Sequence, residues 1–208
     1  MVAPRRTPSQ RRGEQRVEDL LNAAAEVIAE SGYEAATMSA IAERAKASIG
    51  SLYQFFPNKN SVAHALTLRY CRQLLDRLTP LVQEAPDLGI ESLSDRLVDI
   101  AITFMESHAG FIALFDAPIN RRSDRAIRDD YRKCVADILM AHSPNLAREN
   151  ALLVAAISLE VLCSSCETYI DSTANERALF VNEVKTLLRL YLANRVRQTH
   201  RTQRSRNI

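Results

Sequence analysis

The 208-residue chain has no tryptophan, only 5 glycines and 7 prolines, and 6% aromatic residues. A β-rich chain of this length needs turn residues at short, regular intervals. The scarcity of Gly and Pro, with several long stretches holding neither, therefore points to an all-α fold. No uninterrupted run of about 18 apolar residues is visible, so no membrane span is expected. The N-terminus is basic but lacks the apolar stretch of a secretory signal, so a cytoplasmic protein is expected. Its 4 cysteines should then be reduced thiols and not a disulfide framework. Also missing are a Gly-rich phosphate loop, an H-E-x-x-H pair and a nucleophile elbow. Asp129, Asp130 and His142 read as solvated groups on a charged helix. Neither an enzyme nor a cofactor is expected.

Charge of one sign is lacking overall, since the net charge is +2. Its distribution is uneven. Residues 1–60 carry 8 Lys/Arg against 7 Asp/Glu, residues 61–184 carry 12 against 18, and residues 185–208 carry 7 against none. Five arginines (Arg5, Arg6, Arg11, Arg12, Arg16) crowd the first 16 residues. Two basic ends flank an acidic middle, a pattern open to two readings: solvated tails, or contact with a polyanion. The length suits a small domain of about 50–60 residues followed by a larger one of about 140.

Residues 1–14 hold two prolines and no apolar periodicity and read as a flexible basic arm. From there Val17, Leu20, Leu21, Ala24, Val27 and Ile28 recur at helical spacing, predicting a helix over 15–31 that Gly32 closes. Thr37 is placed to cap a short helix over 38–45, with Met38, Ile41, Ala42 and Ala45 on one face. Lys46-Ala47 connects to a second short helix, Ile49 to Gln54, capped by Ser48. Pro57 disfavours helical geometry at Phe56, and Asn58 caps a long helix over 59–84. Further helices are expected at about 91–108, 110–116, 122–142, 145–170 and 174–198, with a basic tail over 199–208.

Two short helices separated by two residues and preceded by a longer one make a three-helix helix-turn-helix unit, residues 15–58. The first short helix must bury an apolar face, here Met38, Ile41 and Ala42 against Val27 and Ile28. Ile49, Leu52 and Phe56 are expected to anchor the second. That leaves Ser48, Gly50, Ser51 and Gln54 facing outward, small or polar, so that backbone can approach base edges.

The stretch from Thr37 to Lys59 resembles the DNA-binding domain of the TetR (tetracycline repressor-type) regulators. Their pattern runs Thr, Ile-Ala, then Ala-x-x-Ser/Thr-x-Gly-Ser/Ala-Leu-Tyr-x-x-Phe, then Lys. Gly50, Leu52-Tyr53, Phe56 and Lys59 fall in register. Lys46-Ala47 departs from it, because a Gly is common in that turn. The resemblance implies that Thr37, Ser39, Tyr53 and Lys59 contact phosphates. It places Lys46, Ser48 and Ser51 near bases or adjacent phosphates. Arg11, Arg12 and Arg16 could reach the backbone or minor groove. It further implies a C-terminal helical ligand-binding and dimerisation domain, residues 59–198, whose helices 145–170 and 174–198 pack as a homodimer. Two reading heads would then meet a palindromic double-stranded operator, and an unknown small molecule would release the repressor. Phe104, Met105, His108, Phe111, Phe115, Tyr131, Leu162 and Tyr169 are the residues expected to line its cavity, although such a stripe equally suits plain core.

Cys163-Ser164-Ser165-Cys166 places two thiols on one helical face. Four zinc ligands are not at hand, and the strand-then-helix context of a dithiol oxidoreductase is missing, so buried apolar cysteine is the expectation. A redox- or metal-sensing regulator using Cys163 and Cys166 stays open as an alternative, as does a protein-interaction module that binds no DNA.

Overall fold

The computed structural model describes residues 8–114 and 125–204; for 8–11, 125–127, 166–167 and 198–204 it describes the backbone only. Ten α-helices and one 3-10 turn are present among these residues, and no strand, so the all-α expectation holds. The helices are α1 (Pro8–Ala35), α2 (Met38–Arg44), α3 (Ile49–Phe55), α4 (Lys59–Leu78) and α5 (Leu81–Glu84). After the 3-10 turn Ala85–Asp87 come α6 (Ile90–Glu106), α7 (Ala109–Ala113), α8 (Arg125–His142), α9 (Arg148–Asp171) and α10 (Ala174–Arg204).

The described residues form two compact units, one drawn from residues 8–71 and 108–114, the other from residues 72–107 and 125–204. The division between these units falls inside α4.

In the first unit, α1 buries Leu20, Leu21, Ala24, Val27 and Ile28, the periodic residues that predicted it. One boundary differs from expectation: helix begins at Pro8, within the segment read as an arm. At Gly32 the backbone leaves helical geometry as expected, with φ 75° and ψ 162°, an extended positive-φ conformation that suits Gly, and a separate short turn follows across this kink to Ala35. Both short helices carry the expected caps. Thr37 Oγ1 accepts from Ala40 N at 3.1 Å, and Ser48 Oγ accepts from Ser51 N at 3.2 Å. α4 opens with a reciprocal pair, Ser61 N donating to Asn58 Oδ1 and Asn58 N to Ser61 Oγ.

In the second unit, Leu81, Leu93, Leu97, Ile138, Leu139, Ala151, Ala155 and Leu192 form one buried cluster, while Val98, Val184 and Leu188 form a smaller one. α6 and α10 are joined by Arg189, which donates two bonds of 2.6 Å to the Asp95 carboxylate, and by Lys185 Nζ 2.5 Å from Asp99. The long helix expected over 59–84 stops at Leu78, where Thr79-Pro80 interrupts it. At the other end, α10 runs on to Arg204, into the segment read as tail.

Two side-chain expectations are overturned. His142 is not solvated: its Nδ1 lies 3.1 Å from the Ala85 carbonyl oxygen, half-buried. Cys163 is exposed, not a buried apolar filler. Among the described residues one helix, α9, is long and apolar enough to cross a membrane by length and composition, with a mean hydropathy of 1.6, a composition that a core helix shares. Exposed Glu160 at its middle argues against lipid there.

Candidate DNA-binding surface

The two short helices are fixed from beneath and from the side. Ile41, Ala42, Leu52 and Phe56 are buried. On the flank, Arg44 at the end of α2 makes a two-pronged pair with Glu30 of α1, at 2.9 and 2.6 Å, and a third bond to Glu26 at 3.0 Å. The paired guanidinium holds the Glu30 carboxyl below the usual range, chiefly by its hydrogen bond. The sequence offered no sign of this clamp, because the partners lie 14 and 18 residues apart on different helices.

The turn between them passes through Lys46, whose φ of 48° lies in the left-handed region. This is the position where the resembled pattern favours Gly, and a residue with a Cβ is strained there.

Of the residues predicted to meet DNA, Thr37, Ser39, Lys46, Ser48 and Tyr53 are exposed, and Ser51 and Arg16 half-buried. Thr37 and Ser48 serve as helix caps as well. Tyr53 is half exposed. Arg12 is exposed on α1; the Arg11 side chain falls outside the described residues. Lys59 has structural work of its own. Its ammonium donates to the carbonyl oxygens of Tyr33 and Glu34, both at 2.8 Å, and so closes the last turn of α1. The Tyr33 hydroxyl in turn donates to Asn60 Oδ1.

Ile49 is where the sequence reading fails. Expected as an anchor, it is 42% exposed, whereas Leu52 and Phe56 are 0% and 6%. It is the first residue of α3, ahead of the turn that seats Leu52.

Arg69 ties α4 to α1. It donates to Asn22 Oδ1 at 2.7 Å, Glu18 Oε2 at 3.3 Å and the Leu21 carbonyl at 3.3 Å. α7 packs on α1 through Gly110, where a Cβ would stand 2.8 Å from the Ala25 carbonyl oxygen and 2.7 Å from Tyr70 Oη. His108 and Phe111, both named as cavity residues, meet Tyr70 edge-on at centroid distances of 5.3 and 5.6 Å within this first unit.

The other cavity candidates are in the second unit. Phe104 and Met105 are fully buried, with the Arg77 guanidinium 5.0 Å from the Phe104 ring centre. Tyr131 packs on the larger apolar cluster and Leu162 on the smaller. Tyr169 is buried, its hydroxyl on Glu106 Oε1 and the Arg177 guanidinium 5.0 Å from its ring centre. Burial first, and Glu106 next, push the Tyr169 hydroxyl above its ordinary pKa. Phe115 lies outside the described residues, as does the Cys166 side chain. Among the described residues no group of three or more His, Cys, Asp or Glu is placed to hold a metal ion.

Comparison with known proteins agrees with this geometry. Residues 20–66 match the profile described as bacterial regulatory proteins, tetR family, and residues 90–192 match that of a tetracyclin repressor-like C-terminal domain. The HTH-type nicotine-responsive transcriptional repressor HdnoR of Paenarthrobacter nicotinovorans is 26% identical over 159 residues, 73% of this chain and 81% of that one. A TetR-family transcriptional regulator from Streptomyces coelicolor superposes with a TM-score of 0.67 at 24% identity, covering 86% of this chain and 98% of that one. The regulator FadR of Bacillus subtilis, solved in complex with stearoyl-CoA, superposes with a TM-score of 0.66 at 20% identity, covering 82% and 96%.

Proposed function

Because this chain belongs to the TetR family of bacterial transcriptional regulators, we propose that it is a dimeric, ligand-responsive repressor that reads a palindromic operator with α3. The observation that carries the reading is the outward face of α3. Ser48, Gly50, Tyr53 and Gln54 stand exposed on a helix whose opposite side, Leu52 and Phe56, is buried and whose neighbour α2 is clamped by Arg44. Such a helix has nothing to cover in its own chain and fits the major groove. Thr37, Ser39, Lys46, Tyr53, Lys59 and Arg16 serve the phosphate backbone, and Ser48 and Ser51 lie nearest the bases. A protein with this task works in the cytoplasm, where the DNA is.

One reading head covers few base pairs, so a second copy is needed. Leu153 and Ile157 on α9 and Leu179, Leu187 and Leu190 on α10 are exposed apolar side chains. Their burial against the same helices of a partner accounts for both the exposure and the apolar composition of α9.

The effector is a small molecule held by the second unit, with Phe104, Met105, Tyr131, Leu162 and Tyr169 as its nearest candidates. HdnoR is described as nicotine-responsive and FadR was solved with stearoyl-CoA. This breadth leaves the chemical class to be found by screening. Release follows from the effector favouring a state in which the two heads no longer match the half-sites. α4 contributes residues to both units and is the segment through which such a change would pass.

The test is an anisotropy titration against DNA flanking the gene, at several salt concentrations. Tyr53→Phe with Lys46→Ala is compared with the wild type. Tight binding to one fragment, weakened by salt and by the double substitution, supports the reading. Absence of any specific site, even from a random pool, refutes it.

A further inference from the structure

Large apolar side chains that stand exposed among the described residues fall in two places. Five lie on α9 and α10, and the other three, Ile49, Tyr53 and Phe55, lie on α3. The α9–α10 group is accounted for by a partner copy. In the α3 group, three of that helix's seven residues, Tyr53 has its place at the phosphate backbone, while Ile49 and Phe55 are not accounted for.

Ile49 is the most informative of them. Its spacing from Leu52 and Phe56 would place it in the buried stripe, yet it projects from the first position of α3, directly after the Ser48 cap. Tyr53, four residues on, is its neighbour one turn away. Beside it Gly50 offers no side chain, and no atom lies within 4 Å of where a Cβ would stand. On the Gly50 side of Ile49, therefore, no side chain holds off a surface that approaches α3.

Base edges in the major groove ask for particular partners. Guanine takes the fork of Arg or the ammonium of Lys, cytosine an acid, adenine an amide, and the C5-methyl of thymine an apolar contact. The sequence of α3, IGSLYQF, has no Arg, Lys, Asn, Asp or Glu, and one amide, Gln54. The Ser48 hydroxyl oxygen already accepts from Ser51 N. What α3 chiefly presents at its leading end is a branched hydrocarbon.

We propose that Ile49 is a specificity-determining residue that packs on the C5-methyl group of a thymine in each operator half-site. The proposal rests on the operator-binding reading above. It assigns to apolar contact a part of the sequence choice that the small polar residues of α3 cannot supply.

The experiment begins with selection of binding sites from a random duplex pool by the full-length protein. Each thymine of the selected site is then replaced singly by deoxyuridine, which removes the methyl and leaves pairing intact. Affinities are measured for wild type, Ile49→Ala and Ile49→Val. The wild type should lose about fourfold at one thymine per half-site, the worth of one buried methyl. Ile49→Ala, which removes the contact in both half-sites of the dimer, should bind the parent site about 16-fold more weakly and be indifferent to uridine there, with Ile49→Val between the two. Thermal melts check that the variants stay folded, and the valine variant keeps the comparison open if alanine disturbs α3. Indifference of the wild type to uridine at every thymine overturns the proposal, as does an Ile49→Ala variant that keeps the wild-type sensitivity. A pool that yields no site for the wild type overturns the operator reading itself, and this inference with it.

Discussion

The Lys59 ammonium lies 4.5 Å from the centre of the Tyr33 ring and donates a 2.8 Å hydrogen bond to the carbonyl oxygen of the same residue. One side chain from the start of α4 thus closes α1 and holds the two helices together. Lys59→Met removes both carbonyl bonds and the cation over the ring, and should lower stability by about 1–3 kcal/mol in a urea titration. Lys59→Arg should recover part of it. With its remaining N–H on a phosphate in each protomer, as proposed, the slope of log K against log salt should also fall by about 1.8 for the dimer in the methionine variant.

Lys46 separates stability from binding. Its left-handed φ costs energy that glycine would not incur, while glycine adds freedom to the unfolded chain. The net expectation for Lys46→Gly is a gain of about 0.5–1 kcal/mol, read as a melting point raised by about 1–3 °C. DNA affinity should fall at the same time, because the ammonium is lost.

Gly110 admits no side chain without movement. The Ala25 carbonyl at 2.8 Å is backbone and cannot step aside cheaply, whereas the Tyr70 hydroxyl at 2.7 Å ends a side chain. Gly110→Ala should destabilise by about 1–3 kcal/mol. Adding Tyr70→Phe should restore only a part, and a double-mutant cycle of thermal melts measures it.

The Asp95 carboxyl is held below its ordinary range, first by the hydrogen bonds from Arg189 and further by the nearby Arg189 and Lys185 charges. A carboxylate whose pKa is lower folded than unfolded adds stability that is fully present above the unfolded value, near 4. That stability is lost as pH falls through the folded value. Chemical denaturation from pH 7 down to pH 3 should show a loss beginning below about pH 4.5, and Asp95→Asn should make that loss shallower.

Leu187 and Leu190 are exposed on α10, with Leu188 buried between them. Leu190→Lys combined with Leu153→Lys should halve the mass measured by sedimentation at micromolar concentration and abolish operator binding. Tyr53→Phe should leave the mass unchanged.

Periodicity and capping chemistry are local, and the sequence alone determined what depends on them. The all-α class, the caps at Thr37, Ser48 and Asn58, the burial of Leu52 and Phe56, and the register of the reading helix followed from spacing and side-chain type. Gly32 belongs with them: its backbone leaves helical geometry where a terminator was expected, and only a separate short turn follows it. What only the tertiary structure decided were the relationships across elements. The Arg44 clamp on Glu26 and Glu30, the Arg69 bridge to α1, the Lys59 closure of α1 and the approach of Gly110 to Ala25 join residues far apart in the chain. Whether a residue in the right stripe is buried also depends on where its helix leaves the core. Ile49 has the spacing of an anchor, but it is the first residue of α3, and that placement leaves an expected core residue as an exposed apolar group at the leading end of the helix.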